Sequence, residues 1–218
     1  MLIANRENLY RFIGRIFKIE ADQKMLDQMV AMSFPIECGD DELGEGYRML
    51  EGYLRRLKMD TLTDLAVDYA KIFLGAGTSE SNAAYPYESV YTSPKRLIMQ
   101  DARDRVVAAY RAKGLDKAET LDFPEDHIAL ELEFMAYLCH QTQDAIAAQD
   151  RLAISGSIKE QEVFLAQHLL NWVPTLCADI QKFADTDFYT AVAKITNGYL
   201  RMEQVLLEGL TTEPGMTA

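Results

Sequence analysis

Apolar residues return at steps of three and four from one end of this chain to the other, and no segment alternates β-branched with polar residues over the length of a strand. Steps of three and four are the period at which one face of an α-helix meets a neighbour, so the pattern leaves little room for a sheet. The clearest stretch is near the C-terminus, where Phe188, Val192, Ile195, Tyr199, Met202 and Leu206 share one face. Leu9, Phe12, Ile13, Ile16 and Phe17 do the same near the start, as do Leu62, Leu65, Tyr69, Ile72 and Phe73 further on. Shorter helices are expected around residues 25–30 and 47–57. With 218 residues, 49% of them hydrophobic, the chain can bury a substantial core. The expectation is an all-α fold: one bundle-like helical domain over residues 1–210, followed by a disordered tail at 211–218.

Local signals punctuate the helices. Residues 75–93, GAGTSESNAAYPYESVYTS, lose the period and collect Gly, Ser, Asn and Pro, the composition of a loop. Tyr85, Tyr87, Val90 and Tyr91 are too apolar to leave in water, so this loop should lie against the body and is a candidate functional segment. Ser93 before Pro94 reads as an N-cap and first helical residue, with Gly114 ending that helix. Pro124 is expected to open the next, running to about residue 150. RLAISGS should then break the pattern before Ser157 and Glu160, spaced as a capping box for a helix to Trp172, which Pro174 stops.

Charge and cysteine usage narrow the function. Thirty-four Asp and Glu against 22 Lys and Arg give a formal net charge of −12, which repels nucleic acid and favours a basic partner. Arg6, Arg11, Arg15 and Lys18 on the first helix are too modest a group for a DNA-binding element. Cys38, Cys139 and Cys177 are scattered, so reduced thiols of a cytoplasmic protein are expected, not a disulfide framework or zinc knuckle. The opening MLIANRENLYRFIGRIF lacks the apolar core of a secretory signal, and no stretch is long enough to span a membrane.

FPEDHIALELEFMAYL, residues 123–138, carries the most chemistry. On a helix, Ile128, Leu132, Met135, Leu138 and Cys139 form a broad apolar face with Glu131 inside it and His127 at its edge, while Asp126 and Glu133 point roughly the other way. A carboxylate in an apolar stripe needs a partner or a proton. Glu131 is expected to pair with His127 or with a basic residue of another helix, and Asp126 to help cap the helix start. Other chemistries lack their signatures. None of the three histidines completes a Glu-x-x-His pair, and there is no GxSxG, P-loop or GxGxxG motif. No metal or cofactor is therefore expected. A helical enzyme or metal-binding protein with a site around Asp126, His127 and Glu131 stays open as the alternative.

Three stretches together resemble the TorD/DmsD/NarJ family of chaperones that mature molybdenum-containing redox enzymes: YAKIFLG at 69–75 with YPYESVY at 85–91, then FPEDHIALELEFMAYL, then FLAQHLLNW at 164–172. The PxDH element at 124–127 is the most specific, and YPYESVY is closer to the TorD/DmsD-like branch. Many relatives place Glu before PxDH where this chain has Phe123, which changes the local charge. The resemblance implies a non-catalytic cytoplasmic protein, monomeric or dimeric, that binds the twin-arginine leader and apo form of a molybdopterin oxidoreductase catalytic subunit until cofactor insertion. It implies a partner-binding surface at Ile72, Phe73, Tyr85, Pro86, Tyr87, Glu88, Pro124, Asp126, His127 and Glu131. Asp126 and Glu88 would meet the paired arginines, and the aromatic and aliphatic members an apolar stretch of the leader.

Overall fold

A computed structural model describes residues 2–34, 39–77 and 83–212. They form α1 (Leu2–Lys18), α2 (Gln23–Ala31), α3 (Asp41–Leu54), α4 (Thr61–Leu74), α5 (Glu88–Thr92), α6 (Asp101–Ala112), α7 (Ile128–Ala147), α8 (Arg151–Phe164), a π-helical turn at Leu165–Leu169, α9 (Val173–Phe183) and α10 (Asp187–Thr212). Among the described residues the β-type pairing is a single isolated bridge between Tyr87 and His127. The fold is all-α. No described helix is long and apolar enough to cross a membrane.

The chain divides into two compact units. The first holds α1, the stretch from Tyr87 to Trp172 and the end of α10 from Glu203. Its centre is α7, whose Ile128, Leu130, Leu132, Phe134, Met135, Leu138 and Cys139 are buried round most of the helix, as a helix apolar on all sides must be. Helix α1 packs along it with Ile13, Ile16 and Phe17 buried. The two approach so closely that a Cβ on Gly14 would come within 3.3 Å of the Ala129 carbonyl oxygen. Polar side chains inside this unit satisfy one another. Thr142 Oγ1 lies 2.7 Å from Ser157 Oγ, and Gln161 Nε2 donates to Thr142 at 2.8 Å. Arg6 donates to both Glu203 and Gln161.

The second unit holds residues 19–86 and 173–202. Tyr69, Phe73 and Tyr189 form an aromatic cluster with centroids 5.0 to 6.1 Å apart, extended through Phe188 to Tyr53. Asp68, 1% exposed, accepts hydrogen bonds from the amides of Asp185 and Thr186 and from the Thr186 hydroxyl, satisfying the turn into α10. Helix α4 ends at Gly75 with φ +68, where a Cβ would also fall 2.5 Å from the Tyr85 hydroxyl.

Helices α1 to α4 and α10 lie where the periodicity predicts them, and α9 starts beside Pro174. Three expected boundaries are corrected. Pro94 does not open a helix: Arg96 and Met99 take φ values of 51 and 58, breaking the turn, and α6 starts only at Asp101. Ser93 instead ends α5, a helical turn inside the expected loop. Pro124 precedes a tight turn in which the His127 amide donates to the Pro124 carbonyl, so α7 starts at Ile128. RLAISGS is helical, because the Asp150 carboxylate caps the Ala153 amide and starts α8 there. Ser157 then sits mid-helix and donates to the Leu138 carbonyl, while Glu160 pairs with Lys113. Cys139 and Cys177 are buried free thiols, and burial pushes the Cys139 thiol up to about 12. Cys38 and residues 213–218 of the expected tail lie outside the described residues, while Thr211 and Thr212 end α10.

Candidate functional site

Helix α5 is only one turn long and has no side-chain cap of its own. It is held from a distance. The Glu88 amide donates to the Asp126 carbonyl and the Ser89 amide to Asp126 Oδ2, both at 2.9 Å, next to the Tyr87–His127 bridge. Asp126 thus caps α5 and not the helix that follows it in sequence. Preceding α7, it lies off the helical wheel, and it is fully buried rather than turned outward. Burial raises its carboxyl above the usual range against the pull of the Ser89 hydrogen bonds, and its Oδ1 has no hydrogen-bond partner.

His127 is the N-cap of α7. Its Nδ1 accepts from the Ala129 amide at 3.1 Å, which occupies that lone pair and leaves the ring proton on Nε2 in the neutral form. The ring lies 4.3 Å from Phe123 and 5.1 Å, edge-on, from Tyr87. Burial, helped by the charge of Lys18, lowers its pKa to about 3, so the imidazole is neutral at physiological pH.

Glu88 and Glu131 are both fully buried. Glu88 Oε2 lies 3.0 Å from His168 Nδ1, Oε1 accepts from Asn171 Nδ2 at 3.1 Å, and the Arg105 guanidinium stands 3.7 Å away. Glu131 Oε2 accepts from the Trp172 indole at 3.1 Å, a partner that is neither His127 nor a basic residue, correcting the expected pairing. Its other neighbour is Glu88, whose side chain lies within hydrogen-bond reach and favours the protonated form. Burial first and then the charge of Glu88 hold the Glu131 carboxyl well above its ordinary range. The π-helical turn at Leu165–Leu169, where the Leu170 amide reaches the Leu165 carbonyl, carries His168, and Trp172 follows one turn later. Tyr91 packs on the Trp172 ring at 5.5 Å.

The raised Glu131 carboxyl has a consequence for stability. In the unfolded chain it ionises near 4.5, while in the folded protein it keeps its proton to higher pH, so the unfolded state binds fewer protons above that point. Its contribution is fully present below 4.5 and is lost as pH rises through the folded value. Stability in denaturant should therefore fall from pH 5 toward alkaline pH, and Glu131→Gln should flatten that slope while keeping an acceptor for Trp172. Equal slopes in the two proteins would refute the assignment.

Six of the ten candidate residues, Tyr87, Glu88, Pro124, Asp126, His127 and Glu131, lie together in the first unit. Ile72, Phe73, Tyr85 and Pro86 belong to the second. There Ile72 and Phe73 are core residues, 0% and 1% exposed, and the Tyr85 hydroxyl abuts Gly75. Sequence reasoning passed over Ser89, Arg105, His168, Asn171 and Trp172. The four-residue spacing of His168 and Trp172 within FLAQHLLNW was the available signal. Among the described residues no group of three His, Cys, Asp or Glu side chains is placed to hold a metal ion. What the cluster offers is carboxyl oxygens in excess of donors, the complement of a many-donor cation such as guanidinium.

The family model of the nitrate reductase delta subunit matches residues 37–178. The chain belongs to the nitrate reductase delta subunit family. The family match takes in all ten candidate residues together with His168 and Trp172, and leaves out Arg6 and Glu203. Two curated relatives are named chaperone protein TorD. That of Vibrio cholerae El Tor is 28% identical over 176 residues, covering 80% of this chain and 77% of its own. That of Shewanella pealeana is 26% identical over 215 residues, covering 93% and 90%. A solved structure of a candidate redox enzyme maturation protein from Archaeoglobus fulgidus is similar with a TM-score of 0.48 and 18% identity over 93% of each chain.

Proposed function

We propose that this protein is a non-catalytic cytoplasmic chaperone that binds the twin-arginine leader and apo form of a molybdopterin-dependent oxidoreductase before cofactor insertion and export. The observation that carries this reading is the buried carboxyl cluster of Glu88, Asp126 and Glu131, in which Asp126 Oδ1 has no hydrogen-bond partner. Unsatisfied buried acceptors cost free energy, and a ligand with several N–H donors recovers it. A guanidinium supplies five such donors and a charge of the right sign. The half-buried Tyr87 and Phe123, packed about His127, add apolar surface beside the cluster. The names of the curated relatives support the chaperone class.

Calorimetric titration with a synthetic twin-arginine leader peptide, and with the same peptide carrying alanine at both arginines, tests the reading. The native peptide should bind, and its affinity should fall as added salt shortens the screening length toward about 8 Å at physiological ionic strength. The alanine peptide should bind at least about tenfold more weakly, since a hydrogen bond to a charged group contributes roughly 1.5–3 kcal/mol. Equal affinity for the two peptides at low salt would overturn the assignment.

A further inference from the structure

Glu88 is sealed from solvent, yet the guanidinium that answers its charge is not. Arg105 lies on α6, whose Ala102, Val106 and Tyr110 face inward, and its own side chain is 56% exposed against 0% for Glu88. The 3.7 Å between Arg105 Nη2 and Glu88 Oε1 is an ion-pair distance without a hydrogen bond. Nearby Arg103 behaves differently, donating through Nε to Glu125. Asn171 and His168 hold the Glu88 oxygens from the other helical segment, so the carboxylate stays in place whether or not Arg105 does.

We propose that Arg105 is the resident cation of the carboxyl cluster, displaced by an arginine of the partner when the partner binds, and that it thereby sets the affinity of the site. This rests on the leader-binding reading above and names the chemistry of the exchange: one guanidinium for another. The resident contact is cheap to break, because at 3.7 Å it lacks a hydrogen bond, holds a long side chain that is 56% exposed, and leaves Glu88 still bonded to Asn171 and beside His168. Once released, Arg105 returns to water on the surface of α6. A second guanidinium added beside Arg105 would meet like-charge repulsion, whereas a one-for-one exchange leaves the charge count of the cluster unchanged. The incoming group gains what Arg105 lacks, a hydrogen bond to the unpartnered Asp126 Oδ1.

The test is calorimetric titration of Arg105→Gln with the native leader peptide and with its double-alanine form. Arg111→Gln serves as control, removing an exposed guanidinium from the same helix that pairs with Asp116 at 3.5 Å. Arg105→Gln should bind the native peptide about two- to fivefold more tightly than the unaltered protein, the gain expected from no longer displacing a half-exposed guanidinium. Arg111→Gln should match the unaltered protein, and the gain should vanish with the alanine peptide. Arg105→Met, which retains the apolar stem, gives the same readout if the glutamine variant folds poorly. An unchanged or weaker affinity for both Arg105 variants overturns the exchange and leaves the leader reading intact. An equal gain in Arg111→Gln overturns it too, by assigning the effect to net charge. If the native peptide does not bind the unaltered protein, the leader reading fails and the exchange with it.

Discussion

Arg6→Met is expected to lower the stability of the protein by about 3–5 kcal/mol, the cost of leaving one half of a buried ion pair alone. Arg6 is 4% exposed and Glu203 2%. The guanidinium donates through Nε and Nη2 to both Glu203 oxygens at 2.6 to 2.9 Å and through Nη2 to Gln161 Oε1 at 2.7 Å. Tyr10 adds its hydroxyl to Glu203 at 2.8 Å. Burial opposes the charge on Arg6, but the Glu203 hydrogen bonds and charge outweigh it and hold the guanidinium protonated. Methionine fills the stem volume and supplies no donor, so Glu203 keeps only Tyr10 among these partners. Adding Glu203→Leu to Arg6→Met should recover part of the loss, since the orphaned charge goes with it. Guanidinium-chloride unfolding of the single and double variants checks both statements, and a loss below about 1 kcal/mol for Arg6→Met would place this pair with weak surface contacts.

Glu88→Gln is expected to weaken leader binding about tenfold or more while the protein keeps its helical content and a cooperative melt. The amide retains an oxygen for Asn171 and a polar group for His168, so what is removed is the charge. Titration with the leader peptide, paired with circular dichroism, separates the two effects. Affinity within twofold of the unaltered protein would remove Glu88 from the recognition site.

How much of this was legible beforehand depended on where each residue found its partner. The stripes of α1, α4 and α10 were readable because burial follows the helical period within one element, and Ile13, Phe17, Ile72 and Val192 are indeed buried. Boundaries failed where a local signal met a distant competitor. Ser157 and Glu160 have the spacing of a capping box, yet Asp150 starts that helix earlier and Ser157 turns to the Leu138 carbonyl. Glu131 was visible as a carboxylate in an apolar stripe that needed a partner. Which partner was not visible, because Trp172 stands 41 residues away and reaches it only through the fold. Asp126 was misplaced for the same reason: the amide it caps belongs to Ser89, 37 residues earlier.

The first unit takes its material from both ends of the chain, with Arg6 and Glu203 separated by 197 residues. During synthesis at about 5–20 residues per second, roughly 10–40 s pass between the emergence of one partner and the other. Throughout that interval α1 carries a guanidinium whose carboxylate has not yet been made, beside an apolar stripe of Ile13, Ile16 and Phe17 that α7 reaches only after most of the chain has followed. The unit therefore cannot close vectorially from its N-terminus. Its final step waits for Glu203, and a nascent chain stalled before that residue should pack α1 on α7, complete at Ala147, while the Arg6 guanidinium still lacks its carboxylate.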